Sequence, residues 1–131
     1  DSKAKGMCVG PQNAEETEQT YDTLDKQMED PYSIYNFVKQ TISIRNAFPE
    51  IARGTNTFEK DLSNDNVCIF TREYNGEKAV LIFNPSKDEA SVDVSSLGVN
   101  DAVAMLQTTK KAPSYKDGTA KLPAYSVLVL K

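Results

Sequence analysis

The sequence predicts a mainly β protein: an antiparallel Greek-key β-sandwich of about seven to eight strands, preceded by one amphipathic helix and an irregular acidic arm. Three observations carry that expectation. Residues 67–85 read VCIFTREYNGEKAVLIFNP, two runs rich in β-branched and aromatic residues around a single Asn75-Gly76 dipeptide. A two-residue type I′ turn needs positive φ at both central positions, which Gly adopts freely and Asn tolerates, so this stretch reads as the central hairpin. From Gly54 onward, short apolar runs are cut at near-regular intervals by turn residues: Ser63-Asn64-Asp65, Pro85-Ser86, Gly98, Pro113 and Asp117-Gly118. Before Gly54, apolar residues recur with helical spacing instead.

Residues 1–23 contain Gly6, Gly10 and Pro11 and hold no sustained period, so they read as irregular, with a short helical turn near 14–18. A second helical turn is expected near 24–28. Asp30-Pro31 then has the chemistry of a helix start, because Asp can cap free N–H groups and Pro at the first helical position loses no hydrogen bond. Behind it Ile34, Phe37, Val38, Thr41, Ile42 and Arg45 fall on one face of a helix over 31–46. Tyr35 and Ile44 lie off that stripe, which makes the helix apolar on more than one side and in want of a larger body to pack on. Pro49 ends it, and a turn through Glu50 and Arg53 closes at Gly54. Strands are expected at 56–59, 67–74, 78–84, 90–94, 102–107, 120–121 and 126–130, with Pro123 at the entry to the last one.

Composition bounds the function. Hydrophobic residues make up 39% and charged residues 26% of 131 positions, with a net charge of -4. That is ordinary for a globular chain able to bury a core. The acidity is uneven: residues 1–30 carry eight acidic and three basic side chains, the remainder eleven and twelve. No extended basic patch offers a nucleic-acid surface, and no apolar run approaches the roughly 20 residues of a membrane helix. The chain opens at Asp1 without a charged-then-apolar leader, and is expected to be a piece of a longer product.

Candidate chemistry is sparse. The sequence has no histidine, hence no histidine base, no Ser-His or Cys-His pair and no His-based metal site. Its six glycines are scattered, so no phosphate loop exists. Carboxylate pairs remain as a catalytic device: Asp61 with Asp65, Asp88 with Glu89, and Glu15, Glu16 and Glu18. Each sits in a turn or a polar arm, where solvated surface charge is the expectation. Asp61, Asn64 and Asp65 do not match a strong calcium signature. Tyr32, Tyr35, Tyr74, Tyr115 and Tyr125 could stack on sugars, but packing at a domain edge suits them better. Arg72, following the first hairpin strand, is expected to bind a carboxylate or backbone carbonyls. Cys68, in an apolar strand, is expected as a buried free thiol; a Cys8–Cys68 bridge would instead pin the arm onto the sandwich. No catalytic, cofactor or metal residue is assigned, and substrate-binding residues stay unassigned.

The order of these pieces resembles the C-terminal part of the alpha-amylase family (glycoside hydrolase family thirteen). DPYSIYNFVKQTISIRNAFPEIARG, residues 30–54, looks like that family's last barrel helix, ending in Ile44, Arg45 and Asn46, then Pro49 and the Arg53-Gly54 step into the next domain. Residues 67–74 and 79–86 resemble two strands of its C-terminal sandwich, and LPAYSVLVL at 122–130 resembles its terminal Leu-Pro-x-Tyr-Ser strand. GMCVGP in the acidic arm is like bacterial members. The resemblance implies that 1–47 are the end of a (β/α)8 barrel and 48–131 a supporting sandwich. It further implies a parent that is a retaining α-glucan hydrolase of starch-degrading type, with a secreted or cell-surface bacterial location and a calcium ion as expectations for that parent. The family's catalytic Asp, Glu and Asp lie on earlier barrel strands, so this chain is expected to be inactive alone, with the barrel as its partner. The alternative is a stand-alone carbohydrate-binding or protein-interaction sandwich.

Overall fold

The computed structural model describes residues 20–131. Its centre is the expected hairpin. Asn75 and Gly76 have φ of 51° and 82°, and the two-residue turn joins β2 (Cys68–Tyr74) to β3 (Glu77–Asn84) in antiparallel register, Tyr74 opposite Glu77. β1 (Thr55–Phe58) pairs with β2 on one side. On the other, β8 (Ser126–Leu130) pairs with β3, and β5 (Ala102–Leu106) pairs with β8, giving a sheet of order β1-β2-β3-β8-β5. The second sheet has the order β4-β7-β6, from β4 (Ala90–Asp93), β6 (Ser114–Lys116) and β7 (Thr119–Leu122). All these pairings are antiparallel, and the chain crosses between the sheets after β3, β4, β5 and β7.

The core follows from side-chain alternation along each strand. Rows Ile69–Ile82–Leu128 and Thr71–Val80–Leu130 face inward from the large sheet. Ala90, Val92, Tyr115, Ala120 and Leu122 meet them from the small one, and Val67, Val94 and Val99 close the ends. Ile69, Ile82, Leu122, Leu128 and Leu130 are fully buried, each contributing about 2 kcal/mol of transfer free energy.

Three expectations are corrected. A strand at Ser114–Lys116 was not foreseen; it pairs with β7 across Asp117 and Gly118, whose φ of 49° and 80° make a second two-residue hairpin. Three residues with one inward aromatic give too short a run for alternation to be visible. The strand expected at 120–121 extends over Thr119–Leu122 for the same pairing reason. Finally, Pro31 does not open the helix. Among the described residues, three helices precede the sandwich: α1 (Leu24–Glu29), α2 (Ile34–Ala47) and α3 (Pro49–Arg53). The cap of α2 is Ser33, whose hydroxyl accepts from Asn36 N, while Asp30 Oδ1 accepts from Tyr32 N in the turn before it. Ser33 wins because its own hydroxyl also donates to Gln27 O at 2.5 Å, tying the cap to α1.

The large sheet's outer face is partly covered. α3 packs on β2 and β3, and α2 lies against β5. Cys8, Glu15, Glu16, Glu18 and the turn expected near 14–18 lie outside the described residues.

Candidate functional site

The residues that could do something lie where the helices meet the sandwich. Asn36 organises the upper layer. Its amide donates to Gln27 O at 2.9 Å, Met28 O at 3.2 Å and Asp30 O at 2.8 Å, satisfying the carbonyls at the end of α1. Tyr35 N donates to Gln27 Oε1 at 3.2 Å. These bonds hold α1 beside α2 without a core, for neither helix has a buried residue.

Part of the foreseen stripe is the uncovered side of α2, but Phe37, expected on the same face, is half-buried elsewhere. Ile34, Val38 and Ile42 are 50%, 49% and 54% exposed, and with Leu24 of α1 they line an open apolar groove. Phe37 and Ile44 are half-buried on another side, so α2 is apolar on two sides and only one is covered.

Below α2 hydrogen bonds and a close backbone approach tie the joint to the sandwich. Arg72 Nη2 donates to Ile51 O at 3.0 Å and Nε to Glu50 O at 3.4 Å, so the expectation of backbone carbonyls holds. Arg72 lies within β2 opposite Ala79, inside the strand expected at 67–74 and not past its end. Gly54 closes α3 against β2: a Cβ there would stand 2.4 Å from Glu50 O and 2.8 Å from Glu73 O, which no side chain permits.

An ion pair at this joint has no local signature in the sequence. Glu50, 3% exposed, bonds Lys131 Nζ, and Lys131 also reaches Glu77 Oε2 at 3.3 Å. The Lys131 hydrogen bond, with Glu50's own backbone N–H, lowers the Glu50 carboxyl pKa against the opposing effect of burial. The Glu50 bond likewise raises the Lys131 ammonium pKa. Glu50 and Lys131 are 81 residues apart, and nothing local in the sequence links them.

The other candidates are dispersed. Asp61, Asp65, Asp88 and Glu89 are exposed, and Glu89 pairs with Lys111, which lowers its pKa. Asn64 Oδ1 accepts from Asn66 N at 2.9 Å and Val67 N at 3.1 Å, closing a turn. Among the described residues, no three His, Cys, Asp or Glu side chains converge on a metal-sized point. Tyr32, Tyr35 and Tyr74 are half-buried; Tyr115 packs on the core and donates to Val99 O at 2.8 Å; Tyr125 is exposed. Cys68 is a free thiol, half-buried rather than buried as expected, because it lies on the outer side of β2, opposite Phe83.

Comparison with known proteins agrees with this architecture. Among curated proteins none matches the chain. A solved structure described as Eubacterium rectale Amy13B is 98% identical with a TM-score of 0.90, the match covering 98% of this chain and 25% of that one. The trehalulose synthase MutB from Pseudomonas mesoacidophila MX-45 shares the fold at 23% identity and a TM-score of 0.67, over 82% of this chain and 19% of that one. The chain thus spans a quarter or less of these proteins' lengths. The family described as "Maltogenic Amylase, C-terminal domain" matches residues 61–129, more than half of the chain. The chain belongs to that family and is a C-terminal part of an alpha-amylase-family enzyme.

Proposed function

We propose that this chain is the non-catalytic C-terminal region of an α-glucan-hydrolysing enzyme, and that it stabilises the catalytic barrel by packing against it. Residues 1–47 belong to the barrel in this reading, with α2 as its last helix, and 48–131 form the supporting sandwich. The observation that carries it is the contrast within α2: one apolar side is packed down and the Ile34, Val38 and Ile42 side stands open. An apolar stripe of this kind suits a neighbouring helix of a larger body. The parent is read as a retaining hydrolase of α-glucosidic bonds in starch-like substrates, its catalytic carboxylates supplied by the barrel. Any calcium requirement is assigned to the barrel as well. A secreted or cell-surface bacterial setting fits such a substrate.

The test uses soluble starch and maltoheptaose. The purified 131-residue chain is expected to release no reducing sugar and to give no binding heat, while the parent carrying it hydrolyses starch. Saturable heat with maltoheptaose would favour a carbohydrate-binding sandwich, and hydrolysis by the chain alone would remove the proposal.

A further inference from the structure

A tyrosine stands at a backbone position that glycine would occupy without strain. Tyr125 has a φ of 51° and is 53% exposed. A bulky side chain in the left-handed region is an outlier that persists only where its surroundings over-determine it. Here they do. Tyr125 N donates to Ser86 O at 3.2 Å, Asn84 Nδ2 to Leu122 O at 3.1 Å and Pro123 O at 2.9 Å, and Ser126 Oγ to Pro123 O at 2.7 Å. This network accounts for the backbone of the turn and uses no atom of the tyrosine ring. The ring lies at an apolar slot between α2 and the outer side of the large sheet, lined also by Phe37, Phe83, Pro85, Thr108 and Val127.

We propose that Tyr125 and this slot are a second docking surface for the catalytic barrel of the same parent chain, taking an apolar side chain from the barrel's outer surface. The inference rests on the function proposed above. Two observations choose the occupant. Phe37 of α2 forms one wall of the slot, so a body covering the Ile34, Val38 and Ile42 stripe lies next to it. The 98% identical chain has three quarters of its length outside the region matched here, enough to supply that body. The slot suits a sugar poorly: no charged side chain lines it, Asn84 Nδ2 and Ser126 Oγ donate to backbone carbonyls inside the turn, and Asn84 Oδ1 accepts from Ser86. Apart from the Thr108 and Tyr125 hydroxyls, what remains for a ligand is apolar surface, which matches a protein side chain.

Thermal unfolding of the full-length parent tests this, with Tyr125→Gly, Tyr125→Phe and, on α2, Val38→Lys. Tyr125→Gly relieves the left-handed strain and deletes the ring. A docking role predicts that it lowers the melting temperature by a few degrees, and that Tyr125→Phe, which keeps the ring, leaves it unchanged. A ring without a partner predicts the reverse, with Tyr125→Gly melting at or above the wild type. If Tyr125→Gly is harmless while Val38→Lys lowers the transition, the second surface is overturned and the proposed function stands. If both are harmless, both fall. A benzophenone photo-crosslinker in place of the Tyr125 side chain is expected to capture barrel residues. Capture of residues 1–19 or of a second copy overturns the assignment.

Discussion

α2 and β3 carry similar apolar content to opposite ends. Of the eight residues of β3, Ala79, Val80, Ile82 and Asn84 are buried; of the fourteen residues of α2, none is. β3 sits between β2 and β8 and faces a second sheet, so every inward side chain meets a partner within this chain. α2 is held by the Ser33 cap, the Asn36 amide on the carbonyls of α1, the covalent step into α3, and one half-covered side that lies against β5. A helix of this length is marginal without a packed face. The difference separates a region that completes its own core from one whose fold is set here but whose packing is finished by something else.

The largest expected effect tests that separation directly. Ile82→Ala empties a site with no exposure and should cost about 2–5 kcal/mol, in this chain or in a longer one. Ile42→Ala removes a similar side chain from solvent-exposed α2 and should stay within about 0.5 kcal/mol here. In the full parent it should rise to about 2 kcal/mol or more, as for a buried residue. Denaturant unfolding of both variants in both contexts measures this. An Ile42→Ala cost that is the same in the short and long chains breaks the comparison.

The joint between the two regions comes next. At Gly54 the atoms that an added methyl would meet, the Glu50 oxygen and the Glu73 carbonyl, are all backbone, so α3 must shift away from β2. Gly54→Ala should cost about 1–3 kcal/mol and loosen the Arg72 bonds to Ile51 and Glu50, visible as faster hydrogen exchange in α3 alone. Ser33→Ala, which removes the cap of α2, should cost about 1 kcal/mol, with its exchange signature confined to the first turn of α2.

Much of this arrangement was legible in the sequence because its signals are local. Asn75-Gly76 defines its own turn chemistry, and Ile34, Val38 and Ile42 announce an apolar side by spacing alone. That this side would stand uncovered also followed, from its size against a small sandwich. Ser114–Lys116 was missed because three residues cannot display a period. The cap of α2 is Ser33 rather than Asp30 because the bond from Ser33 to Gln27 is tertiary, and a cap rule sees only the residues that follow it. The Glu50–Lys131 pair and the left-handed Tyr125 were invisible for the same reason: one spans most of the chain, and the other depends on an Asn84 network from a different strand. Local chemistry was read correctly where it decides the structure, and not where a distant residue decides it.

The smallest effect concerns slope rather than depth, and it sharpens how the two regions are joined. Glu50 has its folded pKa held below the ordinary carboxylate value by Lys131, so its contribution is fully present above about pH 4.3 and is lost as pH falls through the folded value. Lys131 has its pKa raised, so its share is present below about pH 10.4 and is lost as pH rises through the folded value. Between those limits the pair is intact and stability should be flat in pH on its account. Lys131→Met removes the partner and leaves the Glu50 carboxylate to its own backbone N–H. The melting temperature of the variant should therefore fall short of wild type most at neutral pH. The gap should close on acidification below about pH 4, because wild type then loses the same charge. A gap that stays constant from neutral pH into acid would mean that Lys131 acts through its aliphatic stem against β3 and β8, and that the helices are tied to the sandwich by the Arg72 and Gly54 contacts alone.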